Sequence, residues 1–374
     1  MAYKPQYHWI DGAENLDKYP EGGYHPIEIG NILHDRYHIV DKLGCGGWST
    51  VWLALDGPNG SHPCYATEPA LCTLQESAFS RLFPLDVSRA LAYELALAVA
   101  YIHSHGYAHG VAADIYLQNV LVKASSTLNQ LSIEQFRERF GKPDIYFVER
   151  LDGNPLHVPP SIPRAVVVSR SLGKRANDFT LSDARLLLSD FGEAFIPSAQ
   201  SRLGADCHSP VDFRPPDAFF QPDIPLSFSA DIWCLALAIW DILGMQPLFS
   251  SAFGSLDTII SQVVDVFGPL PSDWWEKWEG RAKYFNDDGT PKARREVWPK
   301  LEQAFEECVQ KFRRQHNVGE YGQDERVAIL DLVGRMLKLK PQERITIDEV
   351  LQCEWMTKWA RPDYERSLAA SLGT

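Results

Sequence analysis

The chain has 374 residues, 45% hydrophobic and 23% charged, a balance that suits two packed lobes around one cleft and excludes a disordered or fibrous class. A formal net charge of -13 disfavours non-specific binding to nucleic acid or to a membrane surface and favours basic partners where the acids cluster. Seven cysteines (Cys45, Cys64, Cys72, Cys207, Cys234, Cys308, Cys353) include no C-x-x-C pair, which argues against a disulfide framework or a zinc site and for a reducing compartment.

In chain order, residues 1–36 read as an irregular leader, polar and punctuated by Gly and Pro, without the apolar core of a signal peptide. YHIVDKLG and STVWLALD then give β-branched and aromatic runs around a Gly-rich turn, as a strand-turn-strand would. From Pro84 the spacing becomes helical, with Val87, Leu91, Leu95, Ala98 and Ile102 on one face and Gly106 as a stop. NVLVKA and ARLLLSDFG read as short core strands on either side of an insert at about 125–185, which carries an amphipathic stretch (Leu131, Phe136, Phe140) and a DGNP turn. Beyond residue 226 the chain is helical, including SADIWCLALAIWDILG with Gly244 as its cap and a final helix opened by a Thr346/Glu349 capping box. The two most apolar stretches, ALAYELALAVAYI and DIWCLALAIWDIL, are short and carry Glu94 and Asp241, so buried helices explain them better than membrane spans.

Three motifs carry chemistry. Leu43, Gly44, Cys45, Gly46, Gly47, Trp48, Ser49, Thr50 and Val51 allow a tight hairpin whose backbone N–H groups can approach phosphates, since three of these positions have no Cβ. Alone, such a hairpin reads equally well as an ordinary turn. Asp114 and Asn119 reproduce the D-x-x-x-x-N spacing of a kinase catalytic loop, directly after a helix and before a strand, where the Asp accepts the substrate hydroxyl proton and the Asn holds magnesium. In isolation an Asx-rich loop would explain that hexapeptide. Asp190-Phe191-Gly192 follows the run Leu186-Leu187-Leu188, where a second magnesium ligand belongs. Three motifs in the right order on the right elements make coincidence a poor explanation. Asp231 at the head of the apolar helix is expected to accept backbone N–H bonds from the catalytic loop, although a helix N-terminus favours an acid anyway. Arg344 is expected to pair with Asp217 across the large lobe.

The segments GGYHPIEIG, DRYHIVDKLGCGGWSTVWLALD, SDFGEAF, FRPPDA, SADIWCLA and PQERITIDEVLQCEW, with the catalytic loop, together resemble the SR protein kinases, especially their small fungal relatives, over about residues 23–362. Ser49 in place of the usual third glycine, and a spacer ahead of the DFG strand, are what that branch shows. The resemblance implies an α+β, bilobal protein-kinase-like fold with a small, incomplete β-rich N lobe (37–83, with the hinge) and a large helical C lobe (84–362, with the insert), followed by a tail (363–374). It implies transfer of the ATP γ-phosphate to serine of Arg/Ser-rich proteins, with ATP and Mg2+ as cofactors and Glu68 in HPCYATEPA as a hinge residue. It also implies a monomer without direct nucleic-acid or membrane partners, acting in the cytoplasm and the nucleus.

The chain departs from that pattern twice. Only 32 residues separate Val51 from Pro84, whereas the strands, helix, hinge and loops of a complete small lobe need roughly 60 or more. Neither the V-A-I-K lysine nor its glutamate is visible; an alternative alignment puts Thr67 at the lysine position, and Lys42, the nearest basic residue, reads by default as a solvated strand lysine. In HGVAADIYLQN, either three residues are inserted after His109 or Ala112 replaces the histidine. Ala113 stands where kinases switched by phosphorylation carry Arg, so phosphate on Ser198, Ser201 or Ser209 would find no arginine there. The alternative is therefore a pseudokinase or truncated isoform acting as a binding or scaffold protein. For an Arg/Ser-rich partner the chain offers Asp265, Asp273, Glu276, Glu279, Asp287 and Asp288, while the nearby Trp274, Trp275 and Trp278 read as core anchors.

Overall fold

The computed structural model describes residues 7–19, 24–33, 35–46, 49–56, 67–110, 115–124, 128, 130–153, 163–207, 209–250 and 255–372. Helices and small antiparallel sheets make an α+β protein, and the chain divides into two compact units, 1–71 with 124–172 and 72–123 with 173–374. Where the sequence suggests a small lobe over 37–83 and an insert carried by the large one, most of the insert is instead built into the first unit.

In the first unit the strands Ile32–Leu33, Tyr37–Cys45 and Thr50–Asp56 form an antiparallel sheet in that order. Register shifts between Ile39 and Asp41 and between Lys42 and Gly44 break the in-out alternation of the middle strand. Val40 and Leu43 of that strand and Leu53 of the next pack with Leu128, Phe136 and Leu172 of the insert. Phe136 lies on the helix Ile133–Phe140, which opens with a Ser132/Gln135 capping box and ends at Gly141. A second core joins Leu16, Tyr19 and Tyr24 of the leader to Val148 and Val166, the latter on the strand Ala165–Val167 that pairs with Ile145–Phe147. Among the described residues the leader contains a single turn of 3-10 helix at Leu16–Lys18 and the short strand Ile32–Leu33, and Leu16, Tyr19 and Tyr24 are buried.

In the second unit a three-stranded sheet runs in the order Ala70–Thr73, Val120–Lys123, Leu186–Leu188. The long helix Leu85–Ser104 buries Val87, Leu91 and Leu95 as its 3.6-residue spacing requires, and the chain turns away at Gly106, whose φ is +81°. The helix Phe228–Leu243 is buried almost all round, with Trp233 and Trp240 fully enclosed and Gly244 as its C-cap. Both apolar stretches thus lie in the interior of this unit, and among the described residues no helix is long and apolar enough to cross a membrane. Ile347–Gln352 carries the expected Thr346/Glu349 capping box.

Candidate functional site

The Gly-rich turn belongs to the first unit. Its amide at Gly46 donates to the Ser49 carbonyl (2.8 Å), while Gly47 and Trp48 lie outside the described residues. Neither Gly44 nor Gly46 has left-handed backbone, and a Cβ on either would meet nothing closer than 4.0 Å. The hairpin therefore does not need these glycines for its own packing. Val51 is half exposed, Leu43 is partly buried in the core with the insert, and Glu68 is exposed ahead of the strand Ala70–Thr73.

Lys42 overturns an expectation. It is fully buried and ion-paired to Glu14 of the leader, with its ammonium 5.6 Å from the Trp52 ring centroid. The second oxygen of Glu14 accepts from the Tyr19 hydroxyl (2.5 Å), and the Tyr24 hydroxyl donates to the Gly46 carbonyl (2.5 Å). The strand's register shifts leave both Asp41 and Lys42 inside, and the packed leader supplies the carboxylate that makes a buried ammonium tolerable.

The other chemical groups belong to the second unit. Asn119, at the head of Val120–Lys123, accepts through its backbone carbonyl from the Ser189 amide (2.9 Å) and hydroxyl (2.8 Å). Because Val120 pairs with Leu188, the sheet register itself brings Asn119 beside Ser189 and so beside Asp190. Asp190 is exposed, with φ of +62°, a conformation that costs a non-glycine residue about 1–3 kcal/mol and gathers at functional sites. Asp114 and residues 111–113 lie outside the described residues.

His109 reaches the same point from the other side. It is fully buried, its ring lies 4.9 Å from that of Phe191, and its Nε2 stands 3.0 Å from the Ser189 carbonyl. A carbonyl can only accept, so Nε2 carries the proton. The His109 amide donates to Asp231 Oδ2 (2.8 Å) and the Gly110 amide to Oδ1 (3.4 Å), while His103 Nε2 lies 2.8 Å from Oδ2. Asp231 thus does what the sequence suggests, with His103 as a further partner that sequence reasoning missed. Ala108 and Phe195 exchange backbone bonds of 2.9 and 3.1 Å. Beside them Gly110 has φ of +98°, and a Cβ there would stand 2.3 Å from the Glu193 carbonyl oxygen, so no other residue fits.

Downstream, Arg202 pairs with Glu193 (2.6 Å). Ser198 and Ser201 are exposed but Ser209 is buried. Arg344 is ion-paired to Asp217, as expected, and also donates to the carbonyls of Lys338 (2.8 Å), Ser229 (3.0 Å) and Leu339 (3.0 Å). Burial, and then the nearby Asp212 carboxylate, push the Asp241 carboxyl up to about 7. Among the candidate docking acids, Asp265 is buried, pairs with Arg295 and accepts from the Trp298 amide (2.9 Å), so it is no part of an exposed groove. Asp273, Glu276, Glu279, Asp287 and Asp288 are exposed. Trp274 and Trp278 are buried core anchors, the first stacked on Phe220 at 5.1 Å, and Trp275 is half-buried against them.

No family model matches the chain. It is 24% identical to a serine/threonine protein kinase of Aspergillus fumigatus over 92% of this chain and 90% of that one. That alignment spans 407 positions, more than the 374 residues available, so the relative carries segments that this chain lacks. Over shorter stretches the chain is 28% identical to the protein kinase dsk1 of Schizosaccharomyces pombe (29% of this chain, 30% of that one) and 54% identical to the human SRSF protein kinase 3 (12% and 8%). It is therefore similar to serine/threonine protein kinases along most of its length, and to the SR-protein-kinase branch in part of it.

Proposed function

We propose that the chain is a serine/threonine protein kinase of the SR-protein-kinase type whose ATP site has lost its lysine clamp. One observation carries the reading: His109 and Asn119 both hold Ser189, the residue before Asp190, while Asp231 holds the backbone of His109 and Gly110. Asn119 and Asp190 offer an amide oxygen and a carboxylate, the hard donors that Mg2+ takes. Asp190 has no ion pair or hydrogen bond among the described residues, so its carboxylate is available. Bound there, Mg2+ would neutralise charge on the phosphates of ATP. Asp114 would accept the proton of the attacking serine hydroxyl, the Gly-rich turn would offer amides to the phosphates, and Glu68 would be the hinge residue of the nucleotide site. His109, rather than Ala112, fits the catalytic-loop histidine, which makes Val111, Ala112 and Ala113 the extra residues. The substrate would be an Arg/Ser-rich protein in the cytoplasm or the nucleus, phosphorylated by a monomer.

Lys42 favours a second reading, a pseudokinase that binds its partner with little turnover. Its ammonium is committed to Glu14. Losing one preorganised charge at a transferring phosphoryl group costs about 100- to 1,000-fold in rate. Calorimetry with Mg-ATP separates the outcomes. Affinity is expected in the high-micromolar range, about 5 to 6 kcal/mol, and Asp190→Ala should abolish its dependence on Mg2+. A nanomolar dissociation constant would mean that a lysine does reach the phosphates. Binding that ignores Asp190→Ala would remove that residue from the site. Transfer to an Arg/Ser peptide that vanishes with Asp114→Ala would support the enzyme over the scaffold.

A further inference from the structure

Gly44 and Gly46 carry no side chain with which the turn could hold itself, and glycine-rich backbone is costly to order. An amide array that is to meet phosphates must nevertheless be fixed beforehand, or ordering it weakens binding. The structure provides an external support. Tyr24, 7% exposed, donates from its hydroxyl to the Gly46 carbonyl at 2.5 Å. Holding that carbonyl restricts rotation of the Gly46 backbone, whose own amide donates to the Ser49 carbonyl (2.8 Å). Tyr24 is braced in turn: its ring meets that of Tyr19 edge-on at 5.5 Å, and the Tyr19 hydroxyl donates to Glu14, which pairs with Lys42 on the same hairpin. The leader thus grips both the strand, at Lys42, and the turn it leads to, at Gly46.

We propose that the leader is a strap that sets the conformation of the Gly-rich turn, with Tyr24 as the positioning residue at its tip and Tyr19, Glu14 and Lys42 as its anchor. The proposal deepens the kinase reading and rests on it for the identity of the ligand. It assigns Lys42, the nearest basic residue to the turn, to the support of that turn rather than to the phosphates.

The test uses the full chain, with Mg-ATP as the probe in calorimetry and hydrogen exchange at the amides of residues 44–51 without nucleotide. Tyr24→Phe removes one hydroxyl and keeps the ring. It should weaken Mg-ATP about fivefold, the worth of one hydrogen bond, and speed exchange at the turn while exchange in the helix Leu85–Ser104 stays as it was. Glu14→Gln, which keeps the shape of the anchor, should act in the same direction and stands in if Tyr24→Phe does not fold. Unchanged exchange at the turn in both variants overturns the strap. Faster exchange with unchanged Mg-ATP affinity overturns its role in nucleotide binding. Should the parent chain bind no Mg-ATP, the kinase reading fails by itself, and the exchange measurement still decides whether the leader holds the turn.

Discussion

Arg344 has a fully buried side chain that meets Asp217 and three carbonyl oxygens and lies 5.1 Å from the Trp233 ring. Removing it strands a buried carboxylate, so Arg344→Ala should cost about 3–5 kcal/mol of stability. In the cycle with Asp217→Ala the double change should cost less than the sum of the singles, by about 0.5–3 kcal/mol; strict additivity in the melting curves would uncouple the two residues. Asp241 behaves in the opposite sense. Its folded-state value near 7 lies above the ordinary 3.8, so across that interval the folded protein keeps a proton the unfolded chain has released, and stability falls as pH rises through it. Asp241→Asn should therefore gain melting temperature over the parent more at pH 8 than at pH 5, and a gain independent of pH would clear Asp241 of the effect. Such pairs differ in how far the sequence reveals them. Asp217 and Arg344 are visible through motifs, whereas the burial of Lys42 depends on two irregularities of register and on a glutamate 28 positions upstream, which no periodicity announces.

Elements whose signal is local were legible: the spacing along Leu85–Ser104, the apolar run of Phe228–Leu243 and the Thr346/Glu349 box all give the elements found. The helix of the insert was legible too, but its packing partner was not, because an amphipathic face states that something covers it without stating what. The segment from Ala108 to Gly110 shows how closely two elements can be fitted. Gly106→Ala would suffer only from its positive φ, since nothing lies within 4 Å of the new carbon, while Gly110→Ala would also drive a Cβ into the Glu193 carbonyl. The first should cost about 1 kcal/mol and the second distinctly more, as urea midpoints would report. Equal midpoints would show that the backbone at Gly110 can withdraw from Glu193 without penalty.

At the scale of the whole molecule the charge of -13 gains meaning only where acids are exposed. Five of the six candidate docking acids are exposed and Asp265 is not. An Arg/Ser-repeat peptide should therefore bind at low ionic strength and weaken as the screening length falls from about 30 to 8 Å. A Lys/Ala peptide of equal charge should bind less well, because guanidinium forks match carboxylates and ammonium groups do not. Equal binding of the two peptides would reduce the interaction to charge attraction alone. The division of the chain has a consequence of another kind. Each compact unit is made of two stretches, so the polypeptide crosses from one to the other at residues 71, 123 and 172. During synthesis Val40, Leu43 and Leu53 leave the ribosome well before Phe136 and Leu172, the side chains that cover them. At 5–20 residues per second that interval is on the order of ten seconds, long enough for a half-made sheet with a bare apolar face to meet a chaperone, or another nascent copy of itself, before its own chain can close over it.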